Sequence, residues 1–271
     1  MNRQMPALLK PFVLLTYVLL LAPLVIVVAI SFGTSPNYQF PPTQLSLKWY
    51  RAFFANPEFV RAFFSVSLVL GLLSAVFATL LGTAAAIGLV RFRFKGREVL
   101  EAFFLAPLFI PEILFGAALY LSYARLGIKP SMTSLLFGHI VVCAPFVIRN
   151  VTAGLVGLDP RLEEAAVSLG ANRVQAFLKI AVPLIQSSII SGFIFAFIIS
   201  FSDINLALFI AGPNSTTLPV YIFNLLLFEG DPSVAAASTL QILVVGLLIW
   251  LVQYLFRPRT LLQAAPRRVN R

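Results

Sequence analysis

Two acidic residues stand inside long apolar stretches of this sequence, where a charge is expensive. Glu112 interrupts the run 102–124, and Asp203 interrupts the run 183–211, with Asn205 close behind it. An ionisable side chain inside a bilayer costs about 2.5–3.5 kcal/mol on insertion scales, so such residues are functional candidates by default. Fixed carboxylates along a pathway would offset part of the hydration that a cation loses there. The same residues could instead make polar contacts between helices, and Asp203 could lie at the membrane interface, so these interpretations stay open.

Residues that could support catalysis or bind a metal are scarce. The chain has one histidine, His139, and one cysteine, Cys143, which excludes a multi-histidine metal site and an internal disulfide. We interpret His139 as a hydrogen-bonding core residue. The sequence contains neither a Gly-x-x-x-x-Gly-Lys-Ser/Thr phosphate loop nor a His-Glu-x-x-His or Gly-x-Ser-x-Gly motif. It therefore predicts no catalytic residue, no metal site and no cofactor, and it predicts that ATP hydrolysis would need another polypeptide.

These candidate residues must be positioned by membrane-spanning helices, because the composition suits lipid better than water. Of the 271 residues, 59% are hydrophobic and only 11% are charged, whereas soluble domains carry about 25% charged residues. Six apolar runs are long enough for a helix to cross a roughly 30 Å hydrocarbon core, and they are continuous rather than alternating. We therefore predict an all-α integral membrane protein with six transmembrane helices, at about 11–32, 62–90, 102–124, 130–148, 183–211 and 232–256.

Basic residues set the predicted orientation. Six crossings place fifteen Lys and Arg residues and both termini on one side and five on the other, so the richer side is predicted to be cytoplasmic. The net charge of +10 then needs no nucleic acid to explain it. A further apolar stretch, 218–228, reaches only about 16 Å as a helix, so it is predicted to lie at the interface or to re-enter. The first run exceeds the roughly 7–15 residues of a signal-peptide core, which favours a retained span over a cleaved one.

The loop between the fourth and fifth spans, 158–182, carries signals for starting and ending helices. Asp159 followed by a proline is typical of a helix N-terminus, and Gly170 can end that helix in a left-handed conformation. Asn172 can cap a second helix, and Pro183 is expected to open the fifth span. The pattern predicts two short helices that meet at a sharp corner on the cytoplasmic side. On composition alone it would be an ordinary loop.

The spacing within this loop is long and specific. It reads Glu164-Ala165-Ala166, then Gly170-Ala171, then Phe177, Ile180 and Pro183. This pattern resembles the EAA loop of ABC-importer permeases. The resemblance implies a coupling helix that docks into a cleft of an ATP-binding subunit and transmits its closure. The predicted ATPase-coupling residues are therefore Glu163, Glu164, Ala165, Ala166, Gly170, Ala171, Phe177 and Pro183.

The resemblance extends over nearly the whole chain. Short segments at 48–50, 91–96, 134–139 and 211–213 look like the spermidine/putrescine branch of the family. This likeness implies a single permease domain, 1–271, that forms half of a polyamine pathway in the bacterial inner membrane, with both termini cytoplasmic. The partners that it implies are a second permease subunit, two ATP-binding-cassette ATPase subunits, a periplasmic or lipid-anchored solute-binding protein and membrane lipid, without nucleic acid.

Other functions stay open at this point. Related permeases for opines, aminophosphonates, thiamine and ferric iron share much of the pattern, so the substrate is less certain than the family. A self-sufficient secondary transporter or channel would need inverted repeats or paired ion sites, and the sequence shows no internal repeat. A membrane-embedded enzyme would need a nucleophile with its base or a set of metal ligands, and neither is present.

Overall fold

The computed structural model of the protein describes residues 9–255. Within this range the chain is helical, apart from turns and one isolated antiparallel bridge between Gly33 and Leu45. The predicted all-α fold is confirmed. The C-terminal arginines that contributed to the predicted orientation lie outside the described residues. The helices are α1 Leu9–Ser31, α2 Lys48–Ala55, α3 Pro57–Arg91, α4 Arg97–Leu108, α5 Glu112–Arg125, α6 Met132–Val156, α7 Arg161–Ser168, α8 Arg173–Ser202, α9 Ala207–Ile210, α10 Leu218–Phe228 and α11 Ser233–Leu255.

Five helices in the described range, α1, α3, α6, α8 and α11, are long and apolar enough to cross a membrane. The number reaches six if the bent pair α4 and α5 counts as one span. These lengths and compositions fit the predicted multi-span membrane protein. The short stretch 218–228 forms the 11-residue helix α10, and its place relative to a membrane stays a prediction.

The third predicted span is not a single helix. The run 102–124 is divided between α4 and α5, whose axes differ by 103° across the break at 109–111. Pro111 has a non-helical backbone, with ψ of 125°, directly before α5. Proline supplies no N–H and disfavours helical geometry in the residue before it, so Pro111 favours ending one helix and starting another. Pro107 lies within the final 3-10 turn of α4. Glu112 is consequently the first residue of α5 and not a mid-span residue.

Other helices begin or end away from the predicted boundaries. The side chain of Asn56 caps the start of α3 by accepting a hydrogen bond from the Glu58 N–H at 2.9 Å, so this helix begins before residue 62. Helix α6 runs past residue 148 to Val156, although Pro145 lies inside it. Apolar runs follow hydrophobicity, whereas capping and backbone hydrogen bonds fix where a helix ends. The predicted apolar runs and the observed helices therefore agree in the middle of a helix and differ at its ends.

The chain folds as two compact units, whose described residues are 9–69 with 211–244, and 70–210 with 245–255. In the first unit, three fully buried aromatic residues of α2 and α3 form a core, with the Phe59 ring edge-on to Tyr221 of α10 at 4.8 Å. The backbone N–H of Leu218 donates to the Ser67 hydroxyl at 2.7 Å, which ties the start of α10 to α3. The aromatic core residues are Phe53, Phe59 and Phe63.

In the second unit, small residues allow α3, α6 and α8 to pack closely around Val147. A Cβ atom added at Gly192 of α8 would stand 3.1 Å from the Val147 Cα atom. A Cβ added at Gly82 of α3 would stand 2.8 Å from the Val147 Cβ atom. Only glycine leaves room for such an approach, as is usual where helices pack in membranes. This close packing holds α3, α6 and α8 together, and these helices carry or precede several of the candidate site residues.

Candidate functional site

The loop before α8 is built by local hydrogen bonds, as the sequence predicts. The Asp159 carboxylate accepts a hydrogen bond from the Arg161 N–H at 3.0 Å, which stabilises the start of α7. At the other end Gly170 has a φ of +96°, so the predicted left-handed conformation is confirmed. Its N–H donates to the Val167 carbonyl at 3.0 Å, and the Ala171 N–H donates to the Ala166 carbonyl at 3.1 Å. These bonds satisfy carbonyl groups that the helix end would otherwise leave free.

The second half of the loop differs from the prediction. Asn172 and Gln175 cap each other's backbone, with Asn172 Oδ1 accepting from the Gln175 N–H at 2.8 Å and Gln175 Oε1 accepting from the Asn172 N–H at 3.1 Å. The helix that begins here does not end before the fifth span, because α8 runs from Arg173 to Ser202 without interruption. The second of the two predicted short helices is therefore not separate from the fifth span. Pro183 lies in the first turn of the α-helical stretch Val182–Ser202, as predicted, but that stretch continues directly from the residues before it.

A π-helical stretch explains how α8 accommodates this proline. Residues Phe177–Ala181, directly before the turn that holds Pro183, are wound as a π-helix. In a π-helical turn each N–H pairs with the carbonyl five residues earlier instead of four, so the carbonyl that would meet the proline ring is displaced. The helix therefore continues although Pro183 has no N–H to donate. The predicted coupling residue Phe177 is the first residue of this π-helical stretch.

The predicted coupling residues present two different surroundings. Glu164, Ala165 and Gly170 are exposed on α7 and its C-terminal turn. Glu163 faces the chain itself and makes two contacts with the guanidinium of Arg91, one of them at 2.8 Å between Arg91 Nη1 and Glu163 Oε2. A cavity of about 810 Å³ lies beside this pair and is lined by residues that include Arg91, Pro160, Glu163, Glu164, Val167 and Arg173.

Asp203, the predicted pathway carboxylate, follows the last residue of α8 and has an extended backbone with ψ of 132°. Its Oδ1 accepts from the Leu206 N–H at 3.2 Å, and its Oδ2 accepts from the Ala207 N–H at 2.9 Å. The side chain is only 6% exposed. This carboxylate therefore satisfies the backbone of the short helix α9 at the point where α8 ends.

Glu112 and Asn205, the other two predicted pathway residues, contact each other. The Asn205 Nδ2 donates to Glu112 Oε2 at 3.1 Å, so the start of α5 is joined to the segment between α8 and α9. The approach is close, because a Cβ added at Gly116 would stand 3.1 Å from the Asn205 carbonyl oxygen and 3.2 Å from the Leu206 Cα. The structure thus brings together the break between α4 and α5, beside Glu112, and the end of α8, beside Asp203.

Sequence reasoning missed the serine that takes part in this polar cluster. The His139 Nδ1 lies 2.8 Å from the Ser200 hydroxyl, and its Nε2 lies 3.7 Å from Asp203 Oδ2. His139 and Ser200 are both buried. The only available signal was the spacing of Ser200 and Asp203, which stand three residues apart, nearly one helical turn. Among residues 9–255, no group of three or more His, Cys, Asp or Glu side chains is placed to hold a metal ion.

The predicted coupling residues and the carboxylates form two separate groups. Helix α8 has the coupling residues near its start and Asp203 directly after its end, and its 30 residues extend over about 45 Å. A length of this size exceeds the roughly 30 Å hydrocarbon core of a bilayer. A single helix therefore links an exposed loop to a buried polar cluster on the far side of the second unit.

Comparison with known proteins identifies the family. Residues 78–262 match the family described as "Binding-protein-dependent transport system inner membrane component". The chain belongs to this family. It is 31% identical to the spermidine/putrescine transport system permease protein PotC of Escherichia coli (strain K12), over 92% of this chain and 94% of PotC. It is 32% identical to the putrescine transport system permease protein PotI of the same organism, over 89% of this chain and 88% of PotI.

A solved structure supports the same fold for this family member. A bacterial ABC transporter involved in the import of the acidic polysaccharide alginate matches with a TM-score of 0.71. The match covers 94% of this chain and 95% of that one at 18% sequence identity. At this identity the likeness concerns the arrangement of the helices and not the solute.

Proposed function

We propose that this chain is the permease subunit of an ATP-binding-cassette importer and forms half of the pathway for a polyamine. The observation that carries this proposal is the similarity to two polyamine permeases, each along about nine-tenths of both chains. Similarity along the whole length includes the loop that would meet an ATPase as well as the spans that would surround the solute.

The proposed coupling element is the loop from 158 to 182, with its predicted coupling residues. Its helix α7 is short, ends in a left-handed turn at Gly170, and exposes Glu164 and Ala165. A small residue beside a charged one allows a partner's groove to approach closely and to pair with the charge. The chain has no phosphate loop of its own, so the proposed ATPase activity lies on two separate subunits.

The remaining partners follow from the same proposal. One chain offers half of a pathway wall, so a second permease subunit completes it, and a periplasmic or lipid-anchored solute-binding protein delivers the solute. We propose an inner-membrane location with both termini cytoplasmic. The contact between Arg91 and Glu163 joins the end of α3 to the loop after α6, so these two segments lie on the same side, as the charge count also requires.

For the solute itself, the proposed contact is the half-buried Glu112, supported by Asn205. A polyamine carries several ammonium groups, and a carboxylate that faces a pathway offsets part of the hydration lost on entry. Asp203 stays a proposed pathway residue of the same cluster, although both of its carboxylate oxygens already accept backbone hydrogen bonds. The glutamate is therefore the more direct candidate.

The test is reconstitution of the chain with its partner permease, ATPase and binding protein in liposomes. We expect ATP-dependent uptake of radiolabelled spermidine or putrescine, and no ATP hydrolysis by the isolated chain. Uptake of a thiamine, an opine, an aminophosphonate or ferric iron in place of a polyamine would overturn the proposed solute. ATP hydrolysis by the isolated chain would overturn the proposed division between permease and ATPase.

A further inference from the structure

Arg91, at the end of α3, contacts two other helices of the second unit at once. It is the last residue of α3, where the free carbonyl groups of the helix end favour a cation. Its guanidinium makes two contacts with the Glu163 carboxylate in the first turn of α7. The same guanidinium lies over the Phe177 ring, 4.6 Å from the ring centre. We call Arg91, Glu163 and Phe177 the Arg91 clamp.

The geometry of the Arg91 clamp is directional. Two parallel contacts between a guanidinium and a carboxylate fix the orientation of both groups more firmly than a single charge pair does. Stacking of the guanidinium on an aromatic ring adds a second constraint, in a different plane. The Glu163 side chain is 16% exposed and that of Arg91 is 29% exposed, so water screens this pair less than it screens a pair on an open surface.

The two adjacent glutamates of α7 therefore have different environments. Glu163 is engaged inside the chain, whereas Glu164 is exposed. Phe177 begins the π-helical stretch of α8, so a force on its ring acts at the start of the helix that leads to Asp203. Through one arginine, α7 is connected both to α3 and to α8.

We propose that Arg91 is a positioning residue that makes α7 move together with the ends of α3 and α8. This inference rests on the proposed function, because the movement that it transmits is the one imposed by an ATPase subunit. Glu163 acts within the chain, and Glu164 stays available to that subunit. Energy passed to α7 then reaches two spans directly, through contacts that have a defined geometry.

The first experiment measures the clamp without any substrate. Spin labels are attached to the full chain in lipid nanodiscs at two introduced cysteines, Leu169→Cys and Lys95→Cys. Both native residues are exposed, Leu169 by 89%. The single native Cys143 is buried, so the introduced thiols react selectively. We expect Arg91→Gln to widen the distribution of label distances about twofold. The matched control is Arg93→Gln, at an exposed arginine two positions away, and it should leave the width unchanged.

The second experiment measures solute taken up per ATP hydrolysed in the complete transporter. We expect Arg91→Gln and Glu163→Gln each to lower this ratio about fivefold, which corresponds to about 1 kcal/mol. The exchanged pair Arg91→Glu with Glu163→Arg should recover the ratio only in part, since it restores the ion pair but loses the stacking on Phe177 and places each charge at an unfavourable helix end. A residue with only a structural role would lower the yield of complex and leave the ratio of the assembled transporter unchanged.

The two experiments separate the inference from the proposed function. An unchanged label distribution in Arg91→Gln, or an unchanged ratio of uptake to ATP hydrolysis in that variant, would overturn the clamp. A wild-type transporter that takes up no polyamine would overturn the proposed solute. The label distances would still decide on the clamp in that case, because they require neither substrate nor ATP.

Discussion

Replacing Gly170 should separate the conformation of the coupling loop from its chemistry. This residue has a φ of +96°, which side chains with a Cβ atom rarely adopt. No other atom lies within 4 Å of the place where a Cβ would stand. A substitution here therefore introduces backbone strain without a steric clash against another part of the described chain. We expect Gly170→Val to disrupt the turn that ends α7 while leaving helix packing intact.

The magnitude follows from the backbone alone. Holding a residue with a Cβ in left-handed geometry costs about 1–2 kcal/mol, and a β-branched side chain stands at the upper end or beyond it. A cost of about 2 kcal/mol corresponds to about a thirtyfold loss in the population of the native turn. The hydrogen bond from the Ala171 N–H to the Ala166 carbonyl, at 3.1 Å, would be lost with the turn. Asn tolerates left-handed geometry better than Ala, so severity should increase from Asn to Ala to Val.

The assay compares polyamine uptake with assembly in the same preparation. We expect Gly170→Val to reduce ATP-dependent uptake at least about tenfold, while insertion and association with the second permease stay near wild type. Gly157→Ala is the matched control, because Gly157 ends α6 with an ordinary φ of −76°. A Cβ there would meet its nearest atom at an unstrained 3.4 Å.

Two results would refute this reasoning. Wild-type uptake in Gly170→Val would show that the left-handed turn does not matter for coupling. An equal loss in Gly157→Ala would show that any change in the glycines of this region is harmful, so that the sign of φ explains nothing.

Three further outcomes are expected from other sites. Glu164→Lys should reduce recovery of the ATPase subunit in co-purification about fivefold by reversing an exposed contact charge, whereas Glu98→Lys, at another exposed glutamate, should not; equal recovery in both would remove Glu164 from the interface. Asp203→Asn should lower the melting temperature, because the new amide NH₂ would face one of the two backbone N–H groups that now donate to the carboxylate, and the lost hydrogen bond costs about 1–3 kcal/mol of stability. Glu112→Gln should instead raise the KM for uptake. If Asp203→Asn raised the KM and Glu112→Gln lowered the melting temperature, the two proposed roles would have to be exchanged. Gly192→Ala should destabilise the second unit by about 1–3 kcal/mol against the Val147 backbone, whereas Gly246→Ala, with no atom within 4 Å of its Cβ position, should be neutral in thermal unfolding.

The sequence predicted best where structure is determined by near neighbours. Asp159, Gly170 and Asn172 each act through hydrogen bonds or dihedral angles within a few residues. Gly170 and Asn172 have the predicted local role, whereas Asp159 bonds the first N–H of α7 from one position before the observed N-cap, Pro160. The apolar runs likewise located the long helices, since a bilayer requires continuous hydrophobic helices. These inferences depend on residue types and short spacing, which a sequence displays directly.

Prolines show where this reasoning was insufficient. Pro111 separates two helices at a 103° bend, whereas Pro145 and Pro183 lie inside continuous helices. A proline removes one N–H donor and disfavours helical geometry in the residue before it. Whether the helix continues depends on how the neighbouring residues accommodate the missing hydrogen bond. At Pro183 the accommodation is a π-helical turn, whose wider winding has no signature in residue type. The Arg91–Glu163 pair could not be predicted either, because its two residues are 72 positions apart in the sequence.

The two carboxylates explain why a rule about charges in membranes selects candidates without assigning roles. Insertion costs depend on residue type and depth, so they select both Glu112 and Asp203 as candidates but assign neither a role. The backbone distinguishes them. At the start of α9 the N–H groups of Leu206 and Ala207 would lack partners, and in a lipid environment they must be satisfied internally, which Asp203 does. Glu112 instead stands at the start of α5, where the helix terminus itself stabilises an anion, and it binds the side chain of Asn205. A carboxylate that is stabilised without being consumed by backbone bonds is the one suited to exchange partners with a passing cation, and for this reason the proposed solute contact is placed on Glu112.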